Sequence, residues 1–304
     1  MHYSLQQKLG KEIEKPPWLR KRLTLTKEID AINLLINRLS LNTVCQEAMC
    51  PNQAECFKKG TATFLIMGKV CTRNCAFCAI KHGIPEEIDL DEPINLAQAV
   101  LQLHLKYAVV TSVTRDDLPD GGSSHFAKTV IEIKRLNPNT KIEILIPDFK
   151  GSVDSLNIVI DARPNVLNHN LETVPSLYSS IRPQADYSRS VQLLKNVKRI
   201  NPDTITKSGI MLGLGEKENE VLALFDDLTD ANCDILTIGQ YLQPSPEHDP
   251  VIEYIHPSMF AFYENEAKKK GFKAVASSPL VRSSYRADEL YNDISSIKTK
   301  KTNE

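Results

Sequence analysis

The sequence lacks a long apolar run, an excess of charge of either sign and an even number of cysteines. No stretch approaches the roughly 20 consecutive apolar residues of a membrane-spanning helix, so we expect no membrane association. The 304-residue chain has a formal net charge of -1, which gives it no general attraction to nucleic acid. Seven cysteines without a secretory signal peptide argue against a disulfide framework. The absence of an evident transit peptide favours a cytoplasmic protein.

Six of the seven cysteines fall into two short triads with different spacings. The triads are Cys45-x4-Cys50-x5-Cys56 and Cys71-x3-Cys75-x2-Cys78. Thiolates this close in sequence can meet at one soft metal centre. An iron–sulfur cube with only three protein thiolates keeps one iron open, and an open iron can bind a substrate or a cofactor. The seventh cysteine, Cys233, is most simply a small buried side chain between apolar segments.

Zinc is the alternative metal, because it also binds thiolates. Structural zinc sites close a tetrahedron with four nitrogen or sulfur ligands, usually in paired C-x2–4-C units. Neither triad is followed by a second unit of this kind, although His82 lies close behind Cys78 and could complete a site. The spacings therefore favour iron–sulfur clusters.

From residue 60 onward the sequence repeats a strand–helix unit. Six apolar, β-rich segments lie at 63–67, 107–113, 141–146, 165–168, 205–212 and 234–241. Helical patterns separate them, including one after Ser124 in which Phe126, Val130 and Ile133 share a face and Ser123 or Ser124 is the expected cap. Repeats of about 30 residues have the size of βαβ units, and six of them fall short of the eight in a closed TIM barrel.

The predicted fold is therefore an α/β partial (β/α)6 TIM-like barrel with an extension at each end of the chain. We place the barrel core at residues 60–245, an N-terminal extension with the first cysteine triad at 1–59, and a C-terminal extension at 246–304. The lysine-rich end from Lys298 is expected to be a disordered tail.

Chemistry is expected at the carboxyl ends of the strands, where parallel barrels build their active sites. The second cysteine triad follows the first predicted strand, and the Gly121-Gly122 pair lies in the loop after the second. Polar residues 168–172 follow the fourth strand, and residues 240–244 end the sixth. Each segment alone is weak evidence for a functional site, but together they place four polar loops on one rim of the barrel.

The second triad, with Phe77 before its last cysteine, resembles the signature of radical S-adenosylmethionine (SAM) enzymes. In that superfamily the open iron of a 4Fe–4S cluster binds the amino and carboxylate groups of SAM. The reduced cluster then cleaves SAM to methionine and a 5′-deoxyadenosyl radical. The C-x4-C-x5-C triad narrows the resemblance, because most radical SAM enzymes lack it.

Over most of its length, from about Lys15 to Ala287, the chain is similar to the lipoyl synthase family. The matching stretches are residues 45–52, 60–64, 111–122, 168–178, 182–187, 207–216, 239–245 and 279–285. One small departure is Ser278, where the family commonly has glycine. The resemblance implies a second, auxiliary 4Fe–4S cluster, with these ligands: Cys45, Cys50, Cys56 and the serine Ser283.

The resemblance also implies which residues contact SAM: Gly121 and Gly122 near the methionine amino group, Asn170 and Glu172 at the ribose, and Arg182 at a carboxylate. Other interpretations stay open at this point. Arg182 could form a surface salt bridge, Glu172 could be a charge at a helix N-terminus, and His169 is interpreted as a packed residue rather than an iron ligand.

The implied function is radical insertion of two sulfur atoms, at carbons six and eight of an octanoyl chain on a lysine of a lipoyl carrier domain. The auxiliary cluster would supply the sulfur. Implied partners are the octanoylated acyltransferase subunits of 2-oxoacid dehydrogenases and the glycine cleavage H protein, a reductant such as ferredoxin or flavodoxin, and an iron–sulfur carrier for cluster repair. A basic stretch at 15–22 is either a solvated arm or a docking strip for an acidic protein substrate.

Two alternatives remain. A biotin-synthase-like sulfur insertase shares the partial barrel and the SAM triad, but its auxiliary cluster is not of the type that residues 45–56 imply. A two-cluster electron carrier would also be rich in cysteine, but such proteins are usually short and hold each cluster with four cysteines.

Overall fold

An eight-stranded sheet organises the chain, and it is mostly parallel. The computed structural model describes residues 14–20, 27–47, 52–58 and 61–302, so Cys50 lies outside the described residues. The strands are β1 (Asn42–Thr43), β2 (Thr61–Ile66), β3 (Val70–Cys71), β4 (Lys81–His82), β5 (Tyr107–Ser112), β6 (Lys141–Leu145), β7 (Val166–Asn168), β8 (Ile205–Leu212), β9 (Ile235–Gln240) and β10 (Ala274–Ser277). The helices are α1 (Lys27–Arg38), α2 (Val44–Glu47), α3 (Gln53–Lys58), α4 (Glu92–Gln102), α5 (Ser123–Leu136), α6 (Val153–Asp161), α7 (Tyr178–Ile181), α8 (Tyr187–Ile200), α9 (Glu218–Asp230), α10 (Pro257–Lys270) and α11 (Ala287–Thr302). Short 3-10 turns lie at Pro17–Leu19, Phe149–Gly151 and Pro175–Leu177.

The sheet order is β1-β2-β5-β6-β7-β8-β9-β10, and all pairs from β2 to β10 are parallel. β1 pairs antiparallel with β2 and forms one edge, while β10 forms the other. Because the strands follow chain order and helices connect them, the fold is the predicted partial barrel. Strands β3 and β4 form a separate two-stranded sheet in the loop after β2.

All six predicted strands are confirmed, and two strands of the main sheet, β1 and β10, were missed, as was the short pair β3 and β4. β1 has only two residues, too few for a period to be read. β10 is a run of small residues at the sheet edge, and most of it is only half-buried, so it lacks the apolar signal of a central strand. β10 joins the sheet from within the segment assigned to the C-terminal extension, and the proposed domain boundaries stay a prediction.

Side chains alternate between the two faces of the barrel strands. Outward-facing residues such as Val110, Ile144 and Ile238 pack against the helices in the main apolar core. On α5 the predicted stripe of Phe126 and Ile133 is fully buried in the same core. Burial of both faces explains why strands such as β5 carry apolar residues on both faces.

The C-terminal helix α11 closes the amino end of the barrel. Its Leu290 and Ile294 pack with the first residues of four strands, namely Val166, Ile205, Ile235 and Ala274. The expected disordered tail is therefore wrong over most of its length, because the helix continues to Thr302 and only residues 303–304 lie outside the described residues. No helix in the described part of the chain is long and apolar enough to cross a membrane.

A buried ion pair lies in the sheet, one or two residues further along the strands than the residues that contact α11. The Lys207 ammonium nitrogen on β8 lies 2.8 and 3.1 Å from the two carboxylate oxygens of Glu143 on β6. Tyr107 OH and Asn168 Nδ2 also donate to Glu143, at 2.9 and 3.1 Å. Both charged side chains are inaccessible to solvent. Four donated hydrogen bonds compensate a carboxylate that would otherwise be costly to bury.

Candidate active site

The second cysteine triad lies in a loop that hydrogen bonds fasten to the end of β5. Thr72 N and Thr72 Oγ1 both donate to Thr114 O, at 3.0 and 2.9 Å, and Asp116 N donates to Thr72 Oγ1 at 3.1 Å. The Cys71 sulfur accepts from Thr114 N at 3.2 Å and from Arg73 N at 3.4 Å. These contacts fix where the first thiol of the triad points.

Beneath the loop lie two buried charged residues, Arg73 and Asp148, with partly exposed partners. Arg73 makes two hydrogen bonds to Asp116, at 2.7 and 3.0 Å, and a third to Asp148 at 2.6 Å. Arg189 Nε reaches the other oxygen of Asp148 at 2.8 Å. Burial alone would raise the pKa of Asp148, but the hydrogen bond and charge of Arg73 outweigh it and hold this pKa well below its usual range.

Burial disfavours the thiolate form of the other two cysteines of the triad. Burial raises the pKa of Cys78 to about 12, and it raises the pKa of Cys75 while the nearby guanidinium of Arg182 lowers it. His248 Nε2 donates to Cys78 O at 3.0 Å, so the loop after β9 covers the triad. A thiol bound to iron has lost its proton, so a metal would relieve the cost of burying a thiolate here.

The paired glycines have the left-handed backbone that glycine adopts easily, but Asp120 rather than a serine caps the helix after them. Gly121 and Gly122 both have left-handed φ angles, at 63° and 86°. The Asp120 carboxylate accepts from Gly122 N at 2.9 Å and from Ser124 N at 2.8 Å. The predicted cap by Ser123 or Ser124 is therefore wrong, because a carboxylate is a stronger acceptor for these N–H groups than a hydroxyl.

Polar residues after β7 leave several buried atoms unpaired. Asn170 Oδ1, His169 Nε2 and Arg182 Nε have no hydrogen-bond partner among the described residues. Arg182 uses its Nη1 on Asn170 O and Tyr178 OH, at 3.1 and 2.8 Å, so the surface salt bridge considered for it is wrong. Glu172 accepts from Asn170 Nδ2 at 3.0 Å, and burial raises its pKa against the charge of Arg182.

His169 is a packed residue, as predicted. Its Nδ1 lies 2.8 Å from Ile146 O, so the neutral ring donates there and leaves Nε2 as an acceptor. Burial lowers the pKa of His169 to about 4, with a further contribution from Arg182. Cys233 is also buried, as expected.

The described part of the first triad is tied to the C-terminal motif. Cys45 lies on α2 and Cys56 on α3, while Ser283 lies half-buried in the turn before α11. Asn52 Nδ2 donates to Leu280 O at 2.7 Å, and Tyr285 OH donates to Glu55 Oε1 at 3.0 Å. These two hydrogen bonds connect segments more than two hundred residues apart.

Gly239 seats the C-terminal motif on the end of β9. A Cβ atom at this glycine would lie 2.2 Å from Val281 O, and Gln240 N donates to Pro279 O at 3.2 Å. The motif that precedes Ser283 therefore lies against the carboxyl end of a barrel strand, which is the rim that carries the second triad.

The residues of the second triad fit an iron–sulfur cluster with a polar ligand beside it. Among the described residues, no three Cys, His, Asp or Glu side chains converge as the ligands of a single ion would. In a cube each thiolate binds a different iron, so such convergence is not required. His82, the candidate fourth zinc ligand, is exposed on β4. The unpaired atoms of Asn170 and Arg182 offer an acceptor and a donor to a ligand with polar groups.

Comparisons with known proteins agree with this geometry. The radical SAM superfamily model matches residues 65–228. The lipoyl synthase of Caldanaerobacter subterraneus subsp. tengcongensis is 54% identical over 276 residues, which cover 91% of this chain and 96% of that protein. The lipoyl synthase of Pseudomonas aeruginosa is 51% identical over 277 residues, covering 91% of this chain and 85% of that protein.

Solved structures of distant relatives share the fold. Methylornithine synthase (PylB) superposes with a TM-score of 0.52 at 13% identity, covering 84% of this chain and 79% of that chain. Streptococcus suis SuiB bound to S-adenosylmethionine gives 0.57 at 11% identity, covering 83% and 60%. At such low identity these likenesses establish the architecture alone.

A parallel partial barrel whose first strand leads into a Cys-x3-Cys-x2-Cys loop defines a radical SAM protein. Identity above 50% to curated relatives, over about nine-tenths of the chain, narrows the assignment further. The chain belongs to the lipoyl synthase family, whose members are radical SAM enzymes that insert sulfur. Membership implies 4Fe–4S chemistry and SAM for this chain as well.

Sequence reasoning missed several residues that shape the site. Arg73 and Asp148 form the buried charges under the cysteine loop, and Glu55 with Tyr285 joins the two ends of the chain. Arg73 carried one available signal, since it lies between two cysteines of the triad. Tyr285 lies in the matching stretch 279–285, whereas Asp148 and Glu55 carried no signal, because their partners are far away in sequence.

Proposed function

We propose that the chain inserts two sulfur atoms into a protein-bound octanoyl-lysine, at carbons six and eight, and so makes lipoyl-lysine. The observation that carries the proposal is the pair of hydrogen bonds that join the segment of the first triad to the C-terminal motif, Asn52 to Leu280 and Tyr285 to Glu55. Because that motif lies on the barrel rim, this link supports a second cluster at the same end of the barrel as the second triad. Membership of the lipoyl synthase family supports the same reaction.

Two 4Fe–4S clusters per chain are part of this proposal. Cys71, Cys75 and Cys78 hold one, and Cys45, Cys50, Cys56 and Ser283 hold the other. When bound, the first cluster and SAM supply a 5′-deoxyadenosyl radical, and the auxiliary cluster supplies sulfide. A radical is needed because no side-chain base can deprotonate an unactivated methylene or methyl carbon.

The side chains around the second triad bind and orient SAM. The left-handed backbone of Gly121 and Gly122 lets the amino group of methionine approach the main chain closely. Asn170 and Glu172 bind the ribose hydroxyls, and Arg182 meets the carboxylate with the Nε–H that is unpaired among the described residues. Their burial strengthens each of these contacts relative to water.

Ser283 is proposed as the weak ligand of the auxiliary cluster. A serine oxygen is a harder partner for iron than a thiolate, so it makes one iron easier to release when sulfur is taken. A Ser283→Cys variant is expected to retain its auxiliary cluster but to lose sulfur insertion. Full activity of this variant would refute the role.

The decisive test is an anaerobic incubation of the reconstituted protein with SAM, a reductant and an octanoyl-lysyl peptide from a lipoyl domain. Mass spectrometry of the peptide should detect a gain of two sulfurs as the dithiol, and a further loss of two hydrogens once that dithiol is oxidised to the disulfide, with no added sulfur donor. Deoxyadenosine without any change in the peptide would instead favour another substrate, as for a biotin-synthase-like enzyme. No deoxyadenosine from a protein that carries both clusters would favour the electron-carrier alternative.

The proposed carriers of the octanoyl group are the acyltransferase subunits of 2-oxoacid dehydrogenases and the glycine cleavage H protein. A ferredoxin or flavodoxin would supply electrons, and an iron–sulfur carrier would rebuild the auxiliary cluster after sulfur is lost. A cytoplasmic location stays a prediction. Within the basic stretch, Arg20 forms an exposed ion pair with Glu14 at 2.6 Å, which leaves both interpretations of that segment open.

A further inference from the structure

Asp148 occupies a position between the two loops on which the proposed function depends. Its Oδ1 accepts from Arg73 at 2.6 Å and from Lys150 N at 3.1 Å, and its Oδ2 accepts from Arg189 at 2.8 Å. The side chain is inaccessible to solvent. One carboxylate therefore holds a residue of the cysteine loop and also folds the turn that follows Asp148 itself.

Arg73 connects this carboxylate to the cysteine loop. It lies between Cys71 and Cys75, and its side chain is only 4% exposed. Its planar guanidinium binds Asp116 through two donors and Asp148 through one of them, a geometry that a lysine cannot reproduce. The cysteine loop is thus fixed to the ends of both β5 and β6.

The turn after Asp148 is strained and lies against Gly121. Phe149, Lys150 and Gly151 have φ angles of 44°, 50° and 84°, and the first two residues are not glycine. Such a turn persists only where its surroundings hold it. It places the Phe149 ring against Gly121, where a Cβ atom would lie 3.0 Å from Phe149 Cδ1.

We propose that Asp148, with Arg73 and Phe149, is a positioning residue that couples the cysteine loop to the Gly121-Gly122 turn and so sets the affinity for SAM. The inference rests on the proposed function, in which the cysteine loop holds the cluster and the glycine turn binds SAM. Arg73 transmits the position of the cysteine loop, and Phe149 transmits the position of the glycine turn. Neither residue touches the reacting atoms.

The first experiment needs no cluster. Hydrogen exchange of the cluster-free protein should be faster in Arg73→Lys at residues 118–123, although the substitution lies in the cysteine loop. Phe149→Leu should speed exchange at residues 71–78 in the same way. Effects confined to the mutated segment in both variants would overturn the coupling. Arg135→Lys, at a largely exposed arginine paired with Glu132, is the matched control and should leave both segments unchanged.

The second experiment measures SAM binding to the reconstituted protein by equilibrium dialysis, together with the electron paramagnetic resonance of the reduced cluster. Asp148→Asn and Phe149→Leu should keep wild-type iron and sulfide but bind SAM at least about tenfold more weakly, because a buried charge or ring contact is lost. Asp230→Asn, at an exposed carboxylate that ends α9, should bind as wild type does. A lower melting temperature with unchanged SAM affinity in Phe149→Leu, which leaves the charges intact, would reduce the turn to a structural role and overturn the proposal. A wild-type protein whose spectrum does not respond to SAM would instead contradict the proposed function itself.

Discussion

Gly239 gives a direct way to separate the two proposed clusters. Replacing it with alanine puts a Cβ atom 2.2 Å from Val281 O and 3.1 Å from Val281 C. Because both neighbours are backbone atoms, no side-chain rotation can relieve the clash. The segment before Ser283 has to retreat by more than an ångström from the end of β9, and it takes the proposed fourth ligand with it.

The size of the effect follows from the cost of overpacking. An extra methyl group in a closely packed place costs about 1–3 kcal/mol. Detachment of residues 279–283 relieves that strain. The strain therefore destabilises the state in which Ser283 reaches the auxiliary cluster. At 1.4 kcal/mol per tenfold, the auxiliary cluster should be about 5 to 150 times less tightly held.

Gly209→Ala is the matched variant, because Gly209 lies on the neighbouring strand β8 and faces the other site. Its Cβ atom would meet Thr237 Oγ1 at 2.6 Å and Asn170 Oδ1 at 2.9 Å. This variant should weaken SAM binding and leave the auxiliary cluster in place. The assay is the rate at which a chelator removes iron from each reconstituted protein, read beside SAM affinity.

The opposite pattern of defects in the two variants is the expected result. Gly239→Ala should release its auxiliary iron faster and still cleave SAM. Gly209→Ala should keep its auxiliary iron but bind and cleave SAM less well. If both variants lost iron at the same rate, the clash at Val281 would act on general stability alone. The assignment of Ser283 to the auxiliary cluster would then lose its structural support.

Two further predictions concern buried titratable groups. The folded-state pKa of His169 lies at about 4, below the unfolded value of 6.5, so its contribution to stability is fully present above pH 6.5 and is lost as the pH falls towards 4. Over this pH range the free energy of unfolding of the wild type should therefore fall by roughly 3 kcal/mol more than that of His169→Gln, as measured by urea unfolding of the cluster-free protein. Parallel pH profiles of the two proteins would contradict this. Lys207→Met should cost about 3–5 kcal/mol, because it leaves the Glu143 carboxylate buried and unpaired. Adding Glu143→Gln removes the buried charge and keeps one oxygen that accepts from Tyr107, while its NH2 can donate to Asn168 Oδ1 after that amide turns over. It should restore at least half of the loss in thermal unfolding, and no recovery would mean that the pair is not the source of the cost.

The sequence predicts the barrel well because the signals for its central strands are local. Segments such as Tyr107–Ser112 are mostly apolar and buried on nearly every residue, so their pattern is readable without knowing their neighbours. The position of the cysteine triad after the first strand was equally readable, and it placed the site on the correct rim. Short edge elements such as β10 carry no such pattern, and they appear only when the sheet is assembled.

Contacts between charged residues could not be predicted in this way. Arg73 meets Asp148, which is 75 residues away, and Lys207 meets Glu143 at a separation of 64. In a single sequence each of these residues looks like an ordinary solvated charge. The cap of α5 was wrong for a related reason, since Asp120 lies before the helix and acts across the two glycines that the turn requires.

The ligands of the two proposed clusters come from different numbers of chain segments, and this difference suits different fates for the two clusters. The SAM triad lies within eight consecutive residues of one loop, which β5 and the buried charges fix on several sides. The proposed auxiliary ligands come instead from both ends of the chain, and two hydrogen bonds, Asn52 to Leu280 and Tyr285 to Glu55, join their segments. Ligands that come from distant segments can separate when those segments move apart. A cluster that only transfers electrons gains nothing from such a site, whereas a cluster that gives up its sulfur has to lose iron and be rebuilt. Ligands drawn from distant segments therefore suit the proposed sulfur donor, and a compact loop suits a radical source that is reused.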